Sequence, residues 1–184
     1  MSRPLRADAA RNRARLLEVA DQVFSERGVG ASTEEVARAA GVGIGTVFRH
    51  FPTKEALLAA VLAARLATLA GEAEAVAGAA DPGAALAGYV RLVVAHGPTK
   101  TAYGDALAGH EALAAVTAEV GGRLRAALGI LLGRAQAAGA VRAELRPDDL
   151  RALLIGASRA VEHAADADGR ERVLRVVLSG LRPE

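Results

Sequence analysis

Residues 33–54, TEEVARAAGVGIGTVFRHFPTK, hold two short apolar stripes separated by one glycine. Ser32 and Glu35 have capping-box spacing, in which each side chain takes an amide proton from the other's backbone, so a helix is expected to start there. Val36, Ala37 and Ala40 put an apolar stripe on one face of that helix. Gly41 stands where a left-handed residue ends a helix without a Cβ penalty and turns the chain sharply. Val47, Phe48 and Phe51 then supply the apolar side of a second short helix. Two crossing helices need a small residue at their contact, here Ala37, and a plug for the corner between them, here Val47. This is the packing of a helix-turn-helix, whose second helix enters the DNA major groove. The expected partner is therefore nucleic acid, duplex DNA in particular.

Charge distribution points the same way. Formal net charge is only +2, but residues 1–55 hold nine Arg and Lys against seven Asp and Glu, while the remainder holds fourteen of each. The whole excess lies with the motif, as phosphate neutralisation requires. Arg11, Arg13 and Arg15 precede a clear helical pattern and are expected near phosphates. Arg3 and Arg6 read as a solvated tail.

Hydrophobic residues make up 52% of the 184, yet aromatics only 3%, so the core must be built from Leu, Val and Ala. That palette favours helices packed on alanine faces. Cysteine is absent, which removes disulfides and thiolate metal sites and fits a cytoplasmic location. Charges or glycines interrupt each apolar stretch, so no membrane-crossing run is expected. The N-terminal MSRPLRADAARNRARLL lacks the apolar core of a signal peptide.

Periodicity predicts helices throughout. The first spans about Ala9 to Arg27, with Leu16, Leu17, Ala20, Val23 and Phe24 backing the motif. Motif helices over 32–40 and 44–50 follow, and a long fourth helix begins near Lys54. Residues 71–80 are ambiguous, and 99–109 read as a short helix or loop. Asp81 and Pro82 open a helix carrying Leu86, Tyr89, Val90 and Val93. A long pattern from Glu111 to Ala138 is expected to break or bend at Gly121 and Gly122. Arg146–Asp148 open another helix, and residues 170–182 form the last. No strand pattern or repeat occurs. The expectation is an all-α chain with a helix-turn-helix domain over 1–55 and a larger helical domain over 56–184.

The full string T-x-x-V-A-x-x-A-G-V-x-x-G-T-V-F-x-H-F-x-x-K-E-x-L-L resembles the N-terminal signature of the tetracycline-repressor (TetR) family of bacterial transcriptional regulators. Thr33, Ala37, Gly41, Val42, Thr46, His50, Phe51, Lys54 and Leu57 match family-typical residue types, and the likeness covers roughly residues 10 to 60. It implies base-reading positions at Ile44, Gly45, Thr46 and Arg49. Of these, Arg49 alone can grip guanine bidentately, a contact worth about 1–3 kcal/mol of discrimination. It also implies phosphate contacts from Thr33, His50 and Lys54, although His50 fits a packed core histidine equally well. Free amides at the helix start beside Lys54 are expected to share its phosphate. Phe48 stands where relatives carry a phosphate-contacting tyrosine, so it is counted with the DNA-binding positions, although without the hydroxyl packing is the contribution expected of it. Gly43 and Gly45 fall in the recognition helix, each costing about 1 kcal/mol relative to alanine.

The resemblance further implies that the larger domain binds a small-molecule effector and that its last two helices pair with a second copy in a four-helix bundle. A two-fold homodimer reads a palindromic operator through recognition helices about 34 Å apart. Tyr89, His96, Thr99, Tyr103, His110, Arg159, Glu162 and His163 are the scarce polar and aromatic groups available to a pocket, with Tyr103, His110 and His163 singled out. His96, His110 and His163 match no metal-ligand spacing, so no metal or cofactor is expected. Gly41, Gly43 and Gly45 follow no strand, which excludes a phosphate-cradling loop, and no nucleophile elbow or paired carboxylates occur. The expected function is therefore not enzymatic. It is a dimeric repressor released from its operator by a ligand, with a ligand-independent regulator, an activator or a helical protein-interaction module as alternatives.

Overall fold

The computed structural model describes residues 3–95 and 97–183, with side chains described from Arg11 onward except at 97–101, 117 and 119. Ten helices fill the described residues: α1 (Arg3–Arg27), α2 (Thr33–Ala40), α3 (Ile44–His50), α4 (Lys54–Val76), α5 (Pro82–Ala95), α6 (Gly97–Ala106), α7 (Glu111–Glu119), α8 (Gly121–Ala137), α9 (Pro147–Glu162) and α10 (Ala167–Gly180). The fold is all-α, with no strand among the described residues. α1 starts at Arg3, ahead of the expected Ala9, so the backbone at Arg3 and Arg6 is helical. The pattern over 111–138 does break at the expected place, between α7 and α8.

The chain divides into two compact units elsewhere than at residue 55. Met1–Ala64 joins with Ala102–Val116, and Arg65–Thr101 joins with Thr117–Glu184. Two things cause this. Thr53 caps α4 by accepting the Ala56 amide at 3.1 Å, and the helix then runs unbroken past residue 64. Residues 102–116 also bring buried Tyr103 and Leu107 to the first unit, where Tyr103 meets Phe24 edge-on at 6.0 Å between ring centres. The Tyr103 hydroxyl donates to Asp21 Oδ1 at 3.3 Å.

In the first unit α1 packs on α2, and α2 on α3. Leu16, Ala20, Val23 and Phe24 of α1 are buried, as are Leu57, Leu58, Val61 and Leu62 of α4. In the second, α5, α8 and α9 pack on one another around Val90, Leu128, Leu132, Leu150 and Leu154, and α10 lies against α9 and α5. Tyr89 sends its hydroxyl to the Leu69 carbonyl at 3.0 Å. Burial, and then the nearby Glu72 carboxylate, raise that hydroxyl above its ordinary range.

α4 corrects one expectation. It is 23 residues long with an 18-residue window of mean hydropathy 1.6, long and apolar enough to span a bilayer by length and composition alone. Its apolar residues are used otherwise, since Leu57, Leu58, Val61, Leu62, Leu69 and Ala73 are all buried in the two protein cores.

Candidate nucleic-acid interface

Local chemistry sets the angle between α2 and α3. Ser32 accepts the Glu35 amide at 3.2 Å while Glu35 Oε2 accepts the Ser32 amide at 2.8 Å, completing the expected capping box. Arg27 donates to the other Glu35 oxygen at 2.9 Å. The Ser32 amide and then the Arg27 guanidinium hold the Glu35 carboxyl below its ordinary 4.5. At the far end Gly41 adopts φ 67°, ψ 33°, a left-handed conformation that costs an L-residue roughly 1–2 kcal/mol. Its turn lets the Val42 amide reach the Ala37 carbonyl at 3.0 Å, closing α2 and reversing the chain.

α3 then has a clear inside and outside. Val47 is fully buried and Phe51, four residues on, is nearly so; the Phe51 amide donates to the Val47 carbonyl at 2.8 Å. The Arg13 guanidinium lies 5.0 Å over the Phe51 ring, a cation–π contact that ties α1 to the base of α3. Outward, Gly45, Phe48 and Arg49 are exposed, while Ile44, Thr46 and His50 are half-buried at its flanks. Arg49 has no ion-pair or hydrogen-bond partner among the described residues.

Several expectations shift with this geometry. Phe48 is 41% exposed, so packing alone does not account for it: an apolar ring faces outward beside Arg49. Gly43 is the N-cap of α3, not part of it, at an ordinary φ of −71°, which leaves only Gly45 with a helical cost. A Cβ at either glycine would meet nothing within 4 Å. Thr33 is buried, with 7% exposure. Lys54 Nζ donates to the Gly30 carbonyl at 2.9 Å. The amides beside it are not all free, because Thr53 Oγ1 and the Thr53 carbonyl accept those of Ala56 and Leu57. His50 lies tilted 6.3 Å from Phe51, combining a ring contact with partial exposure.

The three residues singled out for a ligand are not brought together. Tyr103 is sealed in the first unit on Phe24 and Asp21. His110 is exposed in that same unit, and His163 is exposed at the end of α9, its Nδ1 against the Arg159 carbonyl at 2.9 Å. His96 lies outside the described residues. The second unit instead holds a cavity of about 440 Å³ walled by Leu66, Leu69, Val93, Leu128 and Leu154, with Tyr89, Arg125 and Arg151 also on its lining. No periodicity signal marks it, because its residues come from five helices, α4, α5, α7, α8 and α9. No group of His, Cys, Asp or Glu able to hold a metal occurs among the described residues.

Two short helices joined at a left-handed glycine, with Val47 buried between them and Gly45, Phe48 and Arg49 exposed outward, have the geometry of a helix-turn-helix. Residues 16–61 match the description "Bacterial regulatory proteins, tetR family", and residues 81–183 match "Transcriptional regulator SbtR-like, C-terminal domain". The solved TetR transcription regulatory protein of Mycobacterium vanbaalenii is 42% identical, with 98% of this chain and 100% of that chain covered at a TM-score of 0.74. A TetR transcriptional regulator of Streptomyces coelicolor, SCO0520, is 35% identical over 93% of this chain and 98% of its own, with a TM-score of 0.70. An HTH-type transcriptional regulator of Staphylococcus aureus is 43% identical over 54 residues, only 29% of either protein. The chain belongs to the TetR family of bacterial transcriptional regulators, a family of regulators and not of enzymes.

Proposed function

We propose that this TetR-family regulator is a cytoplasmic dimeric repressor that binds a palindromic operator and leaves it when a small molecule occupies the second unit. The observation that carries the reading is the outward face of α3, where Gly45, Phe48 and Arg49 stand exposed over a buried Val47. In the major groove Arg49 reads guanine through two parallel hydrogen bonds. Ile44 and the Thr46 methyl contact thymine methyls, and the Phe48 ring lies against the sugar backbone or a further methyl. Gly45, lacking a side chain, admits close approach. Thr33, His50 and Lys54 hold phosphates at the flanks, with Lys54 exchanging the Gly30 carbonyl for a phosphate oxygen.

The dimer is supported by α9 and α10. α10 carries Val173, Leu174, Val176, Val177 and Leu178, yet none of its residues is fully buried, and Val176 is 73% exposed. Leu153 of α9 is 42% exposed. Apolar surface of this kind on two adjacent helices is what a second copy covers in an isologous contact. A cavity in the second unit with an apolar lining and few polar groups is the ordinary form of an effector site.

Selection of duplexes from a random library with the purified protein tests the reading. The expected outcome is a two-fold symmetric consensus whose affinity falls steeply between two salt concentrations. Enrichment of asymmetric sites would remove the dimeric reading, and absence of enrichment would remove operator binding.

A further inference from the structure

The cavity in the second unit has a chemically uneven lining. Most of it is aliphatic, from Leu66, Leu69, Leu128 and Leu154, but Arg125 and Arg151 lie together on one part of it. Both guanidiniums turn to the same carboxylate oxygen, with Arg125 Nε at 3.0 Å and Arg151 Nε at 3.8 Å from Asp148 Oδ1. Two cations thus share one anion, which leaves one unit of positive charge uncompensated. All three side chains are about half exposed or more, so they form the polar edge of an otherwise apolar chamber. The Nη groups of both arginines have no hydrogen-bond partner among the described residues. Elsewhere on the lining Tyr89 is the other polar side chain, and its hydroxyl is already engaged on the Leu69 carbonyl at 3.0 Å.

We propose that the cavity takes a monocarboxylate with a medium-length apolar body, its carboxylate on Arg125 and Arg151 and its tail among the leucines. The proposal rests on the reading of the second unit as an effector site and specifies what that site selects. A planar carboxylate matches the guanidinium fork, so two parallel N–H···O bonds form without disturbing the Nε contacts to Asp148. A single negative charge balances the single excess positive charge. A dianion would exceed it and face Asp148 as well. A neutral molecule of the same shape would fill the chamber but leave the guanidiniums unmatched. Gly122 supplies part of the lining, and a Cβ there meets no atom within 4 Å. That space belongs to the ligand.

Calorimetric titration of the full chain with decanoate, 1-decanol and decyl phosphate, without DNA, reads this selectivity directly. Decanoate should bind about tenfold more tightly than decanol, a charge-assisted pair discounted for its exposure, and more tightly than decyl phosphate. The double variant Arg125→Gln/Arg151→Gln, at two exposed positions, should lose the preference for decanoate while still binding decanol. Gly122→Leu should weaken decanoate and decanol alike. Equal affinity for decanoate and decanol, tighter binding of decyl phosphate, a preference that survives the double variant, or binding indifferent to Gly122→Leu would each overturn the proposal. Operator affinity measured separately on the same preparation keeps the two readings apart. Decanoate binding by a protein that selects no operator overturns the repressor reading alone, whereas operator selection by a protein blind to decanoate overturns the ligand class alone.

Discussion

On the outer face of α3 two residues should fail in different ways. Arg49→Ala removes the one side chain able to read a base bidentately, so it should cost about 1–3 kcal/mol per half-site and relax sequence choice at one position of each. Lys54→Ala should weaken all duplexes alike and, with one lysine lost from each subunit, lower the slope of log affinity against log salt by about two. Anisotropy titrations on the selected operator and its single-base variants distinguish them; identical profiles for the two variants would refute the assignment. Gly45 belongs to the same face but answers to stability as well. It sits inside α3 with open space where a Cβ would be, so Gly45→Ala should stabilise the protein by about 0.5–1 kcal/mol in denaturant unfolding. A simultaneous loss of operator affinity would locate the added methyl against DNA. The motif's spacing alone placed these residues on one helix. It could not say that Phe48 faces outward, because Phe48 lies within the same apolar stripe as Val47 and Phe51 when read as a pattern, and only the crossing of α2 decides which of the three is sealed.

At the scale of helices, the caps were plain in the sequence and the long-range partners were not. Ser32 and Glu35 form the reciprocal cap their spacing promised, because that bonding involves residues three apart and needs nothing else. Its pH dependence follows from the Glu35 carboxyl, whose folded value lies below 4.5. A lowered folded value means stability that is fully present above 4.5 and lost as pH falls through the folded value. The difference in melting temperature between wild type and Glu35→Gln should therefore be constant above pH 4.5 and shrink below it. A difference that grows on acidification would reverse the sign. Residues 102–116 are the opposite case. Tyr103 reads as a pocket residue because a tyrosine on an apolar helix fits either setting, but it lies against Phe24 and Asp21, which are 79 and 82 positions away. Tyr103→Phe should lower stability by about 1 kcal/mol through the lost hydrogen bond to Asp21. An unchanged unfolding midpoint would show that the 3.3 Å contact contributes nothing.

For the whole molecule, the proposed dimer is tested on α10. Val176→Asp places a charge on the most exposed apolar residue of that helix, where a single copy loses no buried contact. Sedimentation should show dimers for the unaltered chain and monomers for the variant, with operator affinity falling because each half-site is then bound alone. A variant that still sediments as a dimer would move the interface away from α10. The all-α class, the helix-turn-helix and its capping chemistry, and most helix boundaries followed from the sequence by itself, since periodicity, glycine and cap signals act within a few residues of one another. Tertiary structure alone decided three other things. It set the division into units, because α4 crosses residue 55 without a break and 102–116 folds with the start of the chain. It chose burial for Tyr103 and exposure for Phe48. It also assembled the cavity, bringing Arg125 and Arg151 onto one carboxylate from helices that carry no mark of the site in their own sequences. Each of these depends on how separate helices meet, which the signals local to any one helix do not determine.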